Sequence, residues 1–296
     1  IIGAIVSIFR RHTYVMLLHD AYPQLAVWVG TIRKGGLIEK IWHRINRLAY
    51  GRADQTIVLC QAAKRLVCEN YGVDESRVHV IPNWADARDL INKPKADSEF
   101  AAEHGLLDHF TVLYSGNLGL YYEFETILKA AELLKDEDFR LVFVGSGGRK
   151  AWIAQQIRER GLTNTMMLPY QPFEKLADSL TACDASLVTI ARGIEGISFP
   201  SKLYSSLAVG RPILALSEPW SELRSLVDEE GVGLWYELGD AEGLAAGIRD
   251  LMADPDAAIR QGNNARQIFE TRYTRKASAT SYGHVLELAD PMKGRA

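Results

Sequence analysis

The sequence predicts an α/β protein with parallel sheets covered on both faces by helices. Two observations carry this. Short apolar, β-rich runs alternate with longer amphipathic stretches along the chain. A polar stretch bearing Pro94 then divides the strand candidates into a group of three and a group of six.

The strand candidates, in order, are Tyr14–His19, Gln55–Leu59 and Arg77–Ile81, then Phe110–Ser115, Arg140–Val144, Thr165–Leu168, Ala185–Thr189, Ile213–Leu216 and Val232–Trp235. Helical patterns fill the gaps at Glu123–Leu134, Lys150–Glu159, Phe173–Leu180, Ser221–Glu229 and Ala241–Met252. Tyr22-Pro23 starts a further helix, with Asp20 or Ala21 near its cap. The boundary falls after Ile81-Pro82-Asn83-Trp84, and Ala85–Ser98 reads as an interdomain linker. Six strands suffice for a complete doubly wound unit. Three make a poor parallel sheet on their own, and an opening strand with a Gly-rich turn is missing from that part. The chain is therefore expected to begin in the middle of its first domain. The last helical pattern, Ala277–Ala289, is expected to pack back across that domain.

Composition sets broad limits. The 296 residues are 47% hydrophobic and 24% charged, as in a soluble globular protein of one large or two ordinary domains. A net charge of −3 gives no reason to expect a nucleic-acid partner. Cys60, Cys68 and Cys183 form no C-x-x-C pair, and so sparse a set fits a reducing compartment. No run approaches the ~20 apolar residues of a membrane span. Ile1–Phe9 is apolar but short, and Arg10-Arg11 lies on the wrong side for a signal peptide. A core helix and a surface-lying membrane helix both remain open for it.

Ligands of parallel sheets bind beyond the carboxyl ends of the strands. Four loops meet that condition in the second domain: Gly116-Asn117-Leu118-Gly119, Gly145-Ser146-Gly147-Gly148, Leu168-Pro169-Tyr170-Gln171-Pro172, and Ile190–Phe199. The last leads into a helix start marked by Pro200 and Ser201, with Lys202 in its first turn. A first-turn cation opposes the helix dipole, so Lys202 either meets a bound anion or points into solvent. The glycines serve either as tight turns or as points of close ligand approach. Tyr170 either packs or faces a base. His19-Asp20 ends the first strand at another carboxyl edge, and His19 is either a buried, satisfied histidine or a cleft residue. Asp136-Glu137-Asp138 precedes a strand, at the amino edge, and reads as a solvated turn. No metal-spaced cluster, P-loop or G-x-S-x-G elbow occurs.

Taken together, these marks resemble the GT-B glycosyltransferases of family 4, of the bacterial exopolysaccharide and O-antigen type. The resemblance rests on Glu195-Gly196-x-x-x-Pro200-Ser201-Lys202-Leu203-Tyr204 with Ala208-x-Gly210-Arg211-Pro212, and on Tyr114-Ser115-Gly116-Asn117-Leu118-Gly119 with Phe124-Glu125-Thr126. It rests also on Leu168–Pro172, Val80–Trp84 and His19-Asp20-x-Tyr22-Pro23. It implies two Rossmann-like doubly wound domains facing across a cleft, the first incomplete here. Residues 1–86 would be the second half of the acceptor-side domain. Residues 87–274 would be the nucleotide-sugar domain, and 275–296 a helix returning to the first.

The resemblance implies transfer of a sugar from a UDP-sugar to a glycan or polyprenyl-linked acceptor. Anomeric configuration would be retained, with no metal and no cofactor. The setting would be cytoplasmic. The basic and apolar residues of 1–11 and 33–47 either lie against an anionic membrane at its inner face or form an ordinary solvated face. His19, Glu195 and Lys202 would be catalytic. Asp20, Gly116, Asn117, Gly145, Gly147, Tyr170, Ser198, Ser201, Leu203 and Tyr204 would bind substrate, with the backbone N–H groups of Leu203 and Tyr204 on the leaving diphosphate.

There are departures. Aligned on Gly210 and Pro212, the two positions of the family's E-x7-E pattern are Ile197 and Ser205, and Glu195 is displaced by two. The family's Arg and Lys after the Gly116 strand are missing, and Asn117 and Tyr122-Glu123 occupy that region. Lys202 is left with more of the phosphate charge. The same features leave open a catalytically impaired nucleotide-sugar-binding fragment, or a GT-B-fold sugar-nucleotide epimerase.

Overall fold

The structure is a computed structural model that describes residues 2–9 and 12–289, with Ile2, Ile8 and Phe9 described as backbone only. The chain divides into two compact units. The first takes the residues up to Asn83, the segment Gly193–Phe199 and the described residues from Arg275 on. The second takes Trp84–Arg192 and Pro200–Thr274.

The first unit contains α1 (Ile2–Phe9), β1 (Val15–Leu18), α2 (Gln24–Trp28), α3 (Leu37–Arg52), β2 (Gln55–Val58), α4 (Gln61–Tyr71) and β3 (Val78–Val80). Its three strands form a parallel sheet in the order β1-β2-β3. One face packs Val58 and Val78 against Ala63 and Val67 of α4, which stops at Gly72 in the left-handed region (φ 67°). The other face packs Ile57 and Ile81 against Val285 of the returning C-terminal helix, Arg275–Ala289.

The second unit runs through α5 (Glu99–Glu103), β4 (Phe110–Ser115), α6 (Glu125–Leu133), β5 (Phe139–Val144), α7 (Lys150–Glu159), β6 (Thr165–Leu168), α8 (Leu176–Thr181), β7 (Ala185–Thr189), α9 (Lys202–Ala208), β8 (Ile213–Ser217), α10 (Glu222–Glu230), β9 (Gly233–Glu237), α11 (Ala241–Ala253) and α12 (Pro255–Arg272). The C-terminal helix is therefore α13. The six strands are all parallel, in the order β6-β5-β4-β7-β8-β9. The winding reverses between β4 and β7, and the carboxyl ends of those neighbours frame the switch point where ligands of such sheets bind. Side-chain caps start three of the later helices: Ser221 on the N–H of Leu223, Asp240 on Gly243, and Asp254 on Ala257 ahead of Pro255. The core is aromatic at its centre, with Phe124 ring-to-ring on Tyr114 at 5.1 Å and on Phe143 at 6.0 Å.

All nine strand candidates are strands. Three readings need correction. The stretch 173–180 is not one helix: a short 3-10 turn, Phe173–Lys175, precedes α8. Asp20 does not cap the next helix, because α2 begins only at Gln24 with Pro23 as its cap residue, too far along for the Asp20 carboxylate to reach its first N–H groups. The stretch 85–98 is not a loose linker. Ala85 bridges to Thr274, Leu90 is buried, Lys93 pairs with Asp178, and Lys95 pairs with Asp184 at 2.6 Å. These charges fasten the segment to the second unit.

Phe143 is fully buried at the centre of the aromatic group. Phe143→Ala is expected to cost about 3–5 kcal/mol, read as a lowered urea midpoint.

Candidate functional site

At the carboxyl rim of the second sheet, β4 and β5 each end in a glycine that turns the chain. Gly116 donates to the Val144 carbonyl at 2.9 Å and Gly145 to that of Leu168 at 2.9 Å. The two loops then interlock, as Leu118 donates to the Ser146 carbonyl and Arg149 to that of Leu118, both at 2.9 Å. A Cβ on Gly145 would lie 2.0 Å from the Gly116 carbonyl oxygen, and one on Gly147 would lie 2.4 Å from that of Leu118. Both glycines are therefore required by loop-on-loop packing, whatever else approaches them. The loop reading and the tight-turn reading meet here, because the packing fixes one continuous rim.

Lys202 reaches into that rim. Its ammonium donates to Tyr114 Oη at 2.7 Å, and the Tyr114 hydroxyl donates in turn to the Asn117 carbonyl at 2.8 Å. The ammonium also sits 3.4 Å from the centroid of the Tyr122 ring and 4.3 Å from that of Tyr114. Its Cε is 3.3 Å from where a Cβ on Gly116 would stand. Among the described residues, no carboxylate joins this cluster. Burial alone drives the Lys202 pKa well below the ordinary lysine value. The solvent-pointing reading of Lys202 is thereby overturned. Two aromatic faces and a phenol supply partial charge to it, but no full counter-charge.

The helix start behaves differently from its sequence reading. The Leu203 and Tyr204 N–H groups are already used, bonding the carbonyls of Pro200 and Ser201 at 3.2 Å each. Their side chains are core, and the Tyr204 ring meets that of Tyr273 at a tilt, with centroids 5.1 Å apart. Among the described residues, the N–H groups of Ser201 and Lys202, just before those of Leu203 and Tyr204, have no hydrogen-bond partner. Ser201 is exposed and makes no side-chain cap bond. Exposed Asn117 and the half-exposed Tyr170 ring complete the rim, with Tyr170 Oη 3.4 Å from the Ser146 carbonyl. Glu123 takes a structural part, since its carboxylate accepts the Thr126 N–H at 3.0 Å at the head of α6.

The remaining predicted residues lie in the first unit. His19 and Asp20 follow β1 and are exposed, so His19 is not a buried core histidine. The segment carrying Glu195 and Ser198 lies beside them, as the Ala21 N–H donates to the Ile197 carbonyl at 2.7 Å. Gly196, at φ 79°, backs onto Ala62, where a Cβ would come within 2.9 Å of the Ala62 carbonyl. The structure thus brings together Gly116, Asn117, Gly145, Gly147, Tyr170, Ser201 and Lys202 in one unit, and His19, Asp20, Glu195 and Ser198 in the other. Sequence reasoning missed Tyr114 and Tyr122. Tyr122 was legible only as a missing lysine, and Tyr114 only as part of a strand. Among the described residues, no three His, Cys, Asp or Glu side chains are grouped to hold a metal ion.

Comparison with known proteins agrees with this architecture. The family model for glycosyl transferases group 1 matches residues 96–268, more than half of the chain. That for glycosyltransferase family 4 matches residues 3–89. WbjE of Pseudomonas aeruginosa, named a probable glycosyltransferase, is 27% identical over 91% of this chain and 66% of its own length. WcaI of Escherichia coli (strain K12), named for colanic acid biosynthesis, is 30% identical over 75% of this chain and 55% of its own. The chain thus spans a little under two thirds of the one and about half of the other. Among solved structures, HepE from Anabaena with UDP and glucose superposes with a TM-score of 0.77 at 20% identity, over 97% of this chain and 74% of that one. Sucrose-phosphate synthase from Thermosynechococcus elongatus gives 0.78 at 19% identity, over 97% and 70%. The fold is GT-B, and the chain belongs to the group 1 glycosyltransferases.

Two outcomes follow from the geometry. The folded pKa of Lys202 lies below its unfolded value, so the unfolded chain binds the extra proton between those two values. Stability therefore rises with pH through that window. Lys202→Met is expected to raise the midpoint of thermal unfolding at neutral pH, with the gain fading as pH nears the ordinary lysine pKa of about 10.4. Gly145→Ala is expected to lower the midpoint by displacing the Gly116 loop, measured by the same melts.

Proposed function

We propose that this member of the group 1 glycosyltransferases serves to move a sugar from a nucleoside diphosphate, UDP, to a hydroxyl of a glycan or lipid-linked acceptor in polysaccharide synthesis. The observation that carries the proposal is the Lys202 ammonium, buried in an aromatic cradle at the switch point with no carboxylate beside it. A dianionic diphosphate is the chemistry that complements it. UDP as the donor nucleotide is supported by the neighbours bearing UDP or UDP-glucose, and the polysaccharide setting by the naming of WcaI.

In the proposed reaction the bond from the anomeric carbon to the β-phosphate oxygen breaks, and a bond to the acceptor oxygen forms on the same face. The acceptor proton leaves with the phosphate. Negative charge grows on the β-phosphate as the bond lengthens. The Lys202 ammonium and the free N–H groups of Ser201 and Lys202 take up that charge where it develops. The proposal assigns this work to the protein alone, without a metal or cofactor. Asn117 and the Gly116 turn line the diphosphate, and Tyr170 borders the base. His19 and Glu195 are assigned to the hydroxyls of the transferred sugar, with Asp20 and Ser198 supporting them. The proposed place of action is the cytoplasmic face of a membrane carrying the acceptor.

Turnover of the full-length enzyme tests this. Lys202→Ala is expected to cost about 2–4 kcal/mol of transition-state stabilisation, as for loss of one oxyanion-hole donor. An unchanged turnover would refute the role given to Lys202.

A further inference from the structure

Helix α3 carries its apolar residues on two opposite faces. Asn46, Ala49 and Tyr50 are buried against the first unit, with Tyr50 ring-to-ring on Tyr71 at 4.8 Å. Leu37, Ile41, Arg44 and Leu48 follow one another at helical spacing on the side directly away from them. That outward stripe should be polar. Instead Leu37 is 74% exposed, Leu48 68% and Ile41 46%, and Ile38 beside them is 62% exposed. No described residue of the first unit covers them. Single exposed leucines need no explanation, but a contiguous stripe of four large apolar side chains does.

Charge identifies what the stripe meets. Residues 33–48 hold five cations, Arg33, Lys34, Lys40, Arg44 and Arg47, against the single acid Glu39, in a chain of net charge −3. All five are exposed. Among the described residues none of them is in an ion pair. Glu39 is occupied, its carboxylate accepting the Gly35 N–H in the turn that leads into the helix. Unneutralised cations flanking an apolar ridge repel a second copy of the same surface, and they match a surface that is apolar below and anionic above. At the other end of α3, Arg52 bonds Ser7 of α1 at 3.2 Å, and α1 also exposes Ile5 and Val6. Arg10 and Arg11 lie outside the described residues.

We propose that the outward face of α3 docks on an anionic lipid bilayer, lying in the interface plane with Leu37, Ile38, Ile41 and Leu48 below the headgroups and the five cations among them. Among the described residues no helix is long and apolar enough to cross a membrane. The inference deepens the proposed reading by naming how a lipid-linked acceptor and the enzyme are held in one plane, but its chemistry needs no nucleotide.

Sedimentation with vesicles tests it, using both this chain and the full-length protein without donor. Vesicles of phosphatidylcholine with about 30% phosphatidylglycerol are expected to bind at least about tenfold more tightly than phosphatidylcholine alone. Raising salt from about 0.05 M to about 0.5 M is expected to remove most of that preference. The triple variant Leu37→Glu/Ile41→Glu/Leu48→Glu replaces only exposed side chains, so it is expected to keep its far-UV spectrum and its UDP affinity while losing the vesicles. Equal binding by wild type and triple variant would overturn the proposal, as would no binding by folded full-length protein. A sedimentation velocity shift showing the stripe buried in a dimer, abolished in the variant, would overturn it in favour of a second copy. UDP titration of the same samples reads the transferase reading separately, so failure of either is seen without the other.

Discussion

An ammonium group set among aromatic rings, with no counter-charge among the described residues, is the constraint on which the second unit turns. Lys202 is held by one phenol and two ring faces, and burial weakens its hold on its own proton. The surrounding rim is cross-linked by hydrogen bonds. The Tyr114 hydroxyl donates a hydrogen bond to the Asn117 carbonyl, which pins the Gly116 loop, and that loop is locked to the Gly145 loop by reciprocal backbone bonds. The strand order places this rim at the reversal between β4 and β7, beside the start of α9. In the proposed reading such a site is preorganised for the charge that grows on a departing phosphate, which is what electrostatic stabilisation of a leaving group requires. The cost in stability and the capacity for function come from the same group.

Much of the fold was legible because parallel strands advertise themselves. Runs such as Phe110–Ser115 and Ala185–Thr189 are short, apolar and bounded by turns, and the structure places strands on just those residues. A helix start with a chemical mark was also legible, as at Ser221. Asp20 shows the limit: the residue type suited a cap, but where the helix begins is decided by packing of Leu25 and Ala26, both buried. Lys93 and Lys95 show another, since a charged stretch looks like a solvated linker until its partners, Asp178 and Asp184, arrive from far along the chain.

The site was legible in outline and misread in detail for the same reason. Lys202 stood out because a first-turn cation opposes the dipole. Its surroundings were invisible, because Tyr114 and Tyr122 meet it only through the sheet. The donors also moved: the first turn consumes the N–H groups of Leu203 and Tyr204, leaving those of Ser201 and Lys202. Spacing indicated that a helix begins there, while the hydrogen-bond pattern of its first turn decides which donors stay open.

The central claim is that Lys202 awaits an anion. Calorimetric titration with UDP, in two buffers of different ionisation enthalpy at one mildly alkaline pH, measures it directly. The account predicts that binding takes up protons, up to about one per site, because the diphosphate restores the lysine pKa that burial lowers. It also predicts that this uptake vanishes in Lys202→Met. Proton-neutral binding, or uptake that survives the substitution, would contradict it.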